Sequence, residues 1–143
     1  MPEFEVHVSP EEFDVTGSGS VVGPIWVRIA GTDFPEPGWP DFPAALLGGW
    51  LTTLSDLESG GAGSAALHFM EGPYRLDAGH GPAGWTLRAL YYDTPEAQVT
   101  ADGVHALRAP LLAASARVLA ACRAGGWHGR DVRHLTYVAD LGR

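Results

Sequence analysis

The sequence predicts a single α+β domain over residues 1–143, in which a mainly antiparallel sheet of about six to seven strands carries two helices on one face. Three observations predict this class. Short segments alternate between apolar and polar residues, tight turns rich in glycine and proline separate them, and two longer segments have helical periodicity. The predicted order of elements is β-β-β-α-β-β-β-β-α. Strands joined by short turns favour antiparallel pairing, and helices then cover one face of the sheet.

Alternation predicts the strands that precede the first helix. In the first of them, Phe4, Val6 and Val8 face one side and charged or polar residues face the other, as in a half-buried strand. A bend of one turn at residues 9–12 separates it from a second, shorter strand. These predicted strands cover residues 3–8, 13–16 and 21–30.

The first helix is predicted over residues of about 42–58, with Asp41 as its N-cap and Pro43 in its first turn. Apolar side chains recur at helical spacing along it and predict a buried stripe that includes Trp50. The pair Gly48 and Gly49 interrupts this helix, where each glycine costs roughly 1 kcal/mol relative to alanine. We therefore expect a strand or a ring to approach the helix closely there. A flexible linker at residues 59–64 follows.

The second half of the chain predicts four strands and a second helix. The helix covers residues 103–124, and Pro110 either kinks it or marks its true start. A short apolar run, Leu135–Val138, predicts an additional edge strand in the tail. The four strands are predicted at 66–70, 74–78, 85–92 and 97–101, with a turn at 79–84.

Charge is unevenly distributed along the chain. Residues 1–71 contain eleven acids and one arginine, a net charge of −10, whereas residues 72–143 contain six acids and eight arginines, a net charge of +2. The two halves sum to the net charge of −8. An acidic surface repels phosphate, so we expect no nucleic-acid partner, and it favours a basic protein partner.

Several features predict a cytoplasmic bacterial protein. No apolar run reaches the roughly 18 residues needed to cross a bilayer, so we expect no membrane association. The first residues are acidic and lack the pattern of a signal peptide. A single cysteine, Cys122, fits a reducing compartment. All nine basic residues are arginine, which indicates a GC-rich bacterial genome.

Residues 34–50 contain four prolines and four aromatic residues, and no other stretch is so unusual. Proline restricts the backbone and aromatic rings provide large contact areas. The segment is therefore either a lid over the core or a preformed contact surface. As a contact surface, the loop at residues 33–43 offers the candidate binding residues Asp33, Phe34, Glu36, Trp39 and Asp41.

No pattern in the sequence predicts catalysis. The six histidines lack the spacing of a zinc site, so we expect no metal and no cofactor. Cys122 lies on the apolar stripe of the second helix, where a buried thiol is unreactive. We expect no catalytic residues.

The sequence therefore predicts a non-catalytic protein-binding module, for which an immunity-type inhibitor of a basic toxin is one concrete form. One alternative is a small enzyme or ligand-binding domain with a pocket between sheet and helices. Its first candidate residues are His68, Asp77, His80, Tyr91 and Tyr92. Another alternative is a homo-oligomeric structural protein that pairs with itself through the tail strand.

Overall fold

The structure is a computed structural model that describes residues 3–60 and 63–142. Within these residues, nine strands form two antiparallel sheets, and three helices pack against them. The α+β class is confirmed, and the strands form two sheets rather than one. The predicted linker at 59–64 lies partly outside the described residues.

One strand organises the first sheet. The sheet consists of β1 (Phe4–Val8), β2 (Asp14–Val15), β3 (Val21–Ile29), β4 (Thr32–Phe34) and β5 (Pro40–Asp41). Strand β3 pairs antiparallel with each of the other four. The predicted bend is a 3-10 turn at Pro10–Glu12. Strands β4 and β5 were not predicted, because two or three residues are too short to show alternation.

The second sheet is a meander of four consecutive strands. It consists of β6 (Ser64–His68), β7 (Tyr74–Gly81), β8 (Gly84–Tyr91) and β9 (Thr94–Ala101), in that spatial order. All four predicted strands are confirmed. Strand β7 is longer than predicted, because residues 79–81 continue to pair with β8. The predicted turn at 79–84 is therefore reduced to residues 82 and 83.

The helices are α1 (Pro43–Glu58), α2 (His105–Gly125) and α3 (Arg130–Leu141). Helix α1 contacts both sheets through β3 and β6 and also contacts α2 and α3, whereas α2 covers β1. Helix α2 begins before Pro110 and continues through it. The predicted stripe of α1 is buried, with Trp50 only 2% exposed. Buried apolar residues from both sheets and all three helices form one continuous cluster.

The prediction of an edge strand at Leu135–Val138 is wrong. These residues lie in α3, where Val132, Leu135 and Ala139 are buried and Tyr137 is exposed. The buried positions are three and four residues apart, which is the spacing of one helix face. A further anchor is Asp131, whose Oδ2 accepts a hydrogen bond from the backbone N–H of Val21 at 2.9 Å. Packing against α1 and α2, together with the hydrogen bond to β3, therefore decides the tail conformation.

The predicted capping role of Asp41 is also wrong. The N-cap position of α1 is Phe42, and no side chain caps this helix. The carboxylate of Asp41 instead forms hydrogen bonds with its own loop and with a distant turn.

None of the helices in the described part of the chain combines the length and the apolar character needed to cross a membrane.

A ring does approach α1 at one of its two central glycines. A Cβ atom at Gly48 would lie 2.8 Å from Nδ1 of His134 on α3, whereas a Cβ atom at Gly49 would meet nothing within 4 Å. Gly48 is buried and Gly49 is exposed. The close approach of α1 and α3 therefore requires glycine at position 48 only.

We expect Gly49→Ala to raise the free energy of unfolding by about 0.5–1 kcal/mol, because alanine favours the helix and its methyl group meets no neighbour. Gly48→Ala gains the same helix propensity but forces the His134 ring to move. It should be about 1 kcal/mol or more less stable than Gly49→Ala. Urea denaturation of both variants measures the difference. Equal stabilisation by the two substitutions would contradict the described packing of α3.

Candidate binding groove at the proline-aromatic loop

The structure divides the candidate binding residues of the proline-aromatic loop (residues 33–43) between its two ends. At the first end, Phe34 is only 2% exposed, and its ring packs within the core against Phe69 and Tyr74. Asp33 forms a two-bond ion pair with Arg28, with both N–O distances at 3.3 Å. Burial therefore keeps Phe34 away from a partner, and the carboxylate of Asp33 is already paired with an arginine.

Asp33 also shows how charge is neutralised at this end of the loop. Hydrogen bonding from the Arg28 guanidinium lowers the pKa of the Asp33 carboxyl below its ordinary value.

The exposed residue Glu36 follows in the middle of the loop. It does not belong to the groove that the second end of the loop forms.

At the second end, Asp41 anchors the loop from inside the protein. Its side chain is buried, and its Oδ2 accepts hydrogen bonds from the indole N–H of Trp39 and the backbone N–H of Glu71, both at 3.1 Å. Its Oδ1 accepts the backbone N–H of Phe42 at 2.8 Å. A buried carboxylate is stabilised by such donors. Asp41 therefore fixes the Trp39 ring and joins the loop to the β6–β7 turn.

A surface groove of about 530 Å³ lies beside Asp41. Trp39 and Phe42 supply rings to its mostly apolar lining. One wall comes from β3, where Gly23 has a φ of +155° and a Cβ atom would lie 2.4 Å from the Phe13 ring. Its lining residues are Glu12, Asp14, Val22, Gly23, Trp39, Pro40, Asp41, Phe42 and Glu71.

All ionisable side chains that line the groove are acidic. Asp41 is buried and hydrogen-bonded, whereas Glu12, Asp14 and Glu71 are exposed. No arginine or histidine among the described residues contributes to the lining. The groove therefore combines a rigid indole with three exposed carboxylates, an arrangement that favours a cationic group carried on an apolar segment.

Sequence reasoning found two of these groove residues, Trp39 and Asp41, and missed the others. Glu12 ends the 3-10 turn, Asp14 starts β2, and Glu71 lies in the β6–β7 turn. The three carboxylates converge because β2 and β5 both pair with β3 and because Asp41 binds the backbone of Glu71. The only sequence signal was the excess of acids in residues 1–71.

The candidate residues of the enzyme alternative do not converge. His80 pairs with Trp85 and Tyr91 pairs with Tyr74, and the six-residue interval from Trp85 to Tyr91 along β8 corresponds to roughly 20 Å.

Tyr92 follows β8 beside Tyr91, whereas the other two candidates lie on the other side of that sheet. His68 and Asp77 project from the face opposite His80, since neighbouring strand residues alternate. Asp77 accepts a 3.0 Å hydrogen bond from Arg75. The five residues therefore form no common pocket.

The structure offers no grouping of metal ligands in residues 3–60 and 63–142: no three His, Cys, Asp or Glu side chains are placed to hold one ion.

Cys122 is completely buried. Burial raises the pKa of its thiol from 9.0 to about 11. The thiol is therefore protonated and inaccessible at neutral pH, as the apolar stripe of α2 predicts.

We expect Cys122 to resist alkylation by iodoacetamide in the native protein at pH 8, because the reactive thiolate is scarce and the sulfur is buried. The same thiol should react stoichiometrically in guanidinium chloride, which serves as the control. Mass spectrometry measures both reactions. Complete labelling of the native protein within minutes would show that α2 is not packed as described.

We expect Asp41→Ala to lower the free energy of unfolding by about 2–4 kcal/mol, because three N–H groups lose the buried carboxylate that accepts their hydrogen bonds. Asp56→Ala, on the exposed side of α1, is the control and should change stability by no more than about 0.5 kcal/mol. Denaturant titration measures both. A loss of stability no larger than that of the control would contradict the anchoring role of Asp41.

No protein-family model, curated protein or solved structure matches this chain. The geometry and charge of the groove are therefore the features that bear on its function.

Proposed function

We propose that this chain is a non-catalytic protein-binding module that engages a basic partner protein through the groove beside the proline-aromatic loop. The single observation that carries the proposal is the lining of the groove, which Glu12, Asp14 and Glu71 share with the half-buried ring of Trp39. Complementary charges accelerate association and fix the orientation of a partner. The net charge of −10 over residues 1–71 extends the same negative potential beyond the groove.

An immunity-type inhibitor of a basic toxin is the concrete form of this proposal. The small size of the chain, its net charge of −8 and a rigid acidic surface all support it. In this form of the proposal, the acidic groove would cover a cationic surface of the toxin. Such a role needs no reactive group on the inhibitor itself.

The two alternatives have less support. The enzyme alternative depends on side chains that lie on opposite faces of the second sheet and far apart along β8. The homo-oligomer alternative depends on a tail strand, and the tail is the helix α3. We therefore do not propose self-association through a tail strand.

We expect Glu12→Gln/Asp14→Asn/Glu71→Gln to weaken binding of the partner about tenfold or more, because each lost ion pair removes on the order of 0.5–1 kcal/mol. The matched control is Asp56→Asn/Glu96→Gln/Asp102→Asn, which removes the same charge from exposed positions outside the groove. The partner is a basic protein captured from the source organism. Calorimetry at increasing salt measures its affinity for each variant.

Three results would refute the proposal: no basic protein is captured, the affinity is indifferent to salt, or the two triple variants lose affinity equally. The immunity form has its own measurement. Expression of the captured partner alone should arrest growth, and co-expression of the wild-type chain, but not of the groove variant, should restore it. A captured partner without toxicity would leave the binding proposal standing and remove the immunity form.

A further inference from the structure

A continuous series of aromatic rings leads out of the groove along the end of the second sheet. This aromatic ladder consists of Trp39, Tyr74, Tyr91 and Tyr92, with successive ring centroids 5.1, 5.1 and 4.8 Å apart. Trp39 belongs to both the groove and the ladder. The two features are therefore parts of one surface.

The outer half of the ladder is exposed to an unusual degree. Tyr91 and Tyr92 are 41% and 62% exposed, and Met70 in the neighbouring β6–β7 turn is 60% exposed. Three of the five strongly exposed large apolar side chains of the described residues thus lie at this end of one sheet. Clustered exposed apolar groups beside charged ones are typical of protein interaction sites.

The backbone holds the end of the ladder in place. Tyr92 has a φ of +54°, a conformation that is unusual for a large side chain. Its N–H donates to the carbonyl oxygen of Pro73 at 2.8 Å, and its carbonyl oxygen accepts a hydrogen bond from Arg75 at 2.6 Å. Arg75 also forms an ion pair with Asp93. The Tyr92 ring is therefore presented on a rigid turn, and binding costs little backbone ordering.

We infer that the groove and the aromatic ladder together recognise an extended segment of the partner in which an arginine is flanked by apolar residues. The guanidinium would lie in the groove against Trp39, and the apolar neighbours would cover Tyr91 and Tyr92. This inference rests on the proposed function. It names the chemistry of the partner segment that the groove selects.

The acidic lining of the groove favours a cationic side chain, and the indole of Trp39 favours arginine over lysine. A guanidinium is planar, is less strongly hydrated than an ammonium group, stacks on aromatic rings and binds carboxylates through two hydrogen bonds. The Trp39 ring is already fixed by its hydrogen bond to Asp41. The centroid separations along the ladder total about 15 Å, so about four to five residues of extended chain are enough to cover it.

The experiment selects peptides from a displayed library of about ten random residues on the immobilised wild-type chain. We expect enrichment of arginine, not lysine, with apolar residues within about five positions of it. Replacing the selected arginine by lysine should then weaken binding about tenfold. Equal enrichment of lysine and arginine, or enrichment of arginine without apolar neighbours, would overturn the inference.

A pair of variants tests the ladder itself. Tyr92→Asn should weaken the selected peptide about tenfold, because it removes an exposed ring while asparagine tolerates a positive φ. The control Tyr137→Asn removes an equally exposed ring on α3 and should change the affinity less than twofold. Equal effects of the two variants would overturn the role of the ladder.

The outcomes separate this inference from the proposed function. If the captured basic protein binds in a salt-dependent way and the library yields no arginine-containing peptide, the inference fails and the proposed function stands. If neither the library nor the source organism yields a ligand, both fail.

Discussion

A buried carboxylate connects the two sheets of this protein at the point where its most unusual loop ends. Asp41 accepts hydrogen bonds from the Trp39 indole, from the start of α1 and from the β6–β7 turn. A charged group inside a protein is tolerated only when donors surround it. Satisfying Asp41 therefore brings an indole from the first sheet and an exposed glutamate from the second to the same groove.

The hydrophobic core packs against the proline-aromatic loop and stabilises its position. Trp50 on α1 donates its indole N–H to the carbonyl oxygen of His68 at 2.8 Å and packs against Phe69, whose ring also contacts Phe34. The first end of the proline-aromatic loop thus closes the core, while its second end forms the groove. The two interpretations of this loop, a lid or a contact surface, apply to different residues of the same segment.

Acidic side chains serve two distinct roles in this fold. Those of Asp33, Asp77 and Glu58 pair with arginines and neutralise them. The three exposed carboxylates of the groove line it together with aromatic rings instead, and no base among the described lining residues accompanies them. Net charge alone does not distinguish these roles, because a paired and an unpaired carboxylate count equally in a composition.

Local sequence patterns are sufficient to predict the α+β class, the order of most strands, helices α1 and α2, the burial of Trp50 and the inert environment of Cys122. These properties follow from local periodicity, which a single segment displays completely. Tertiary packing, in contrast, determines the separation into two sheets, the helical tail, the burial of Phe34 and the convergence of Glu12, Asp14 and Glu71. Each of these depends on contacts between segments distant in the chain. Strand β3, for example, pairs with four other strands, and the backbone N–H of Glu71 donates to Asp41 beside the groove. Such contacts leave no periodic signal in the segments that make them.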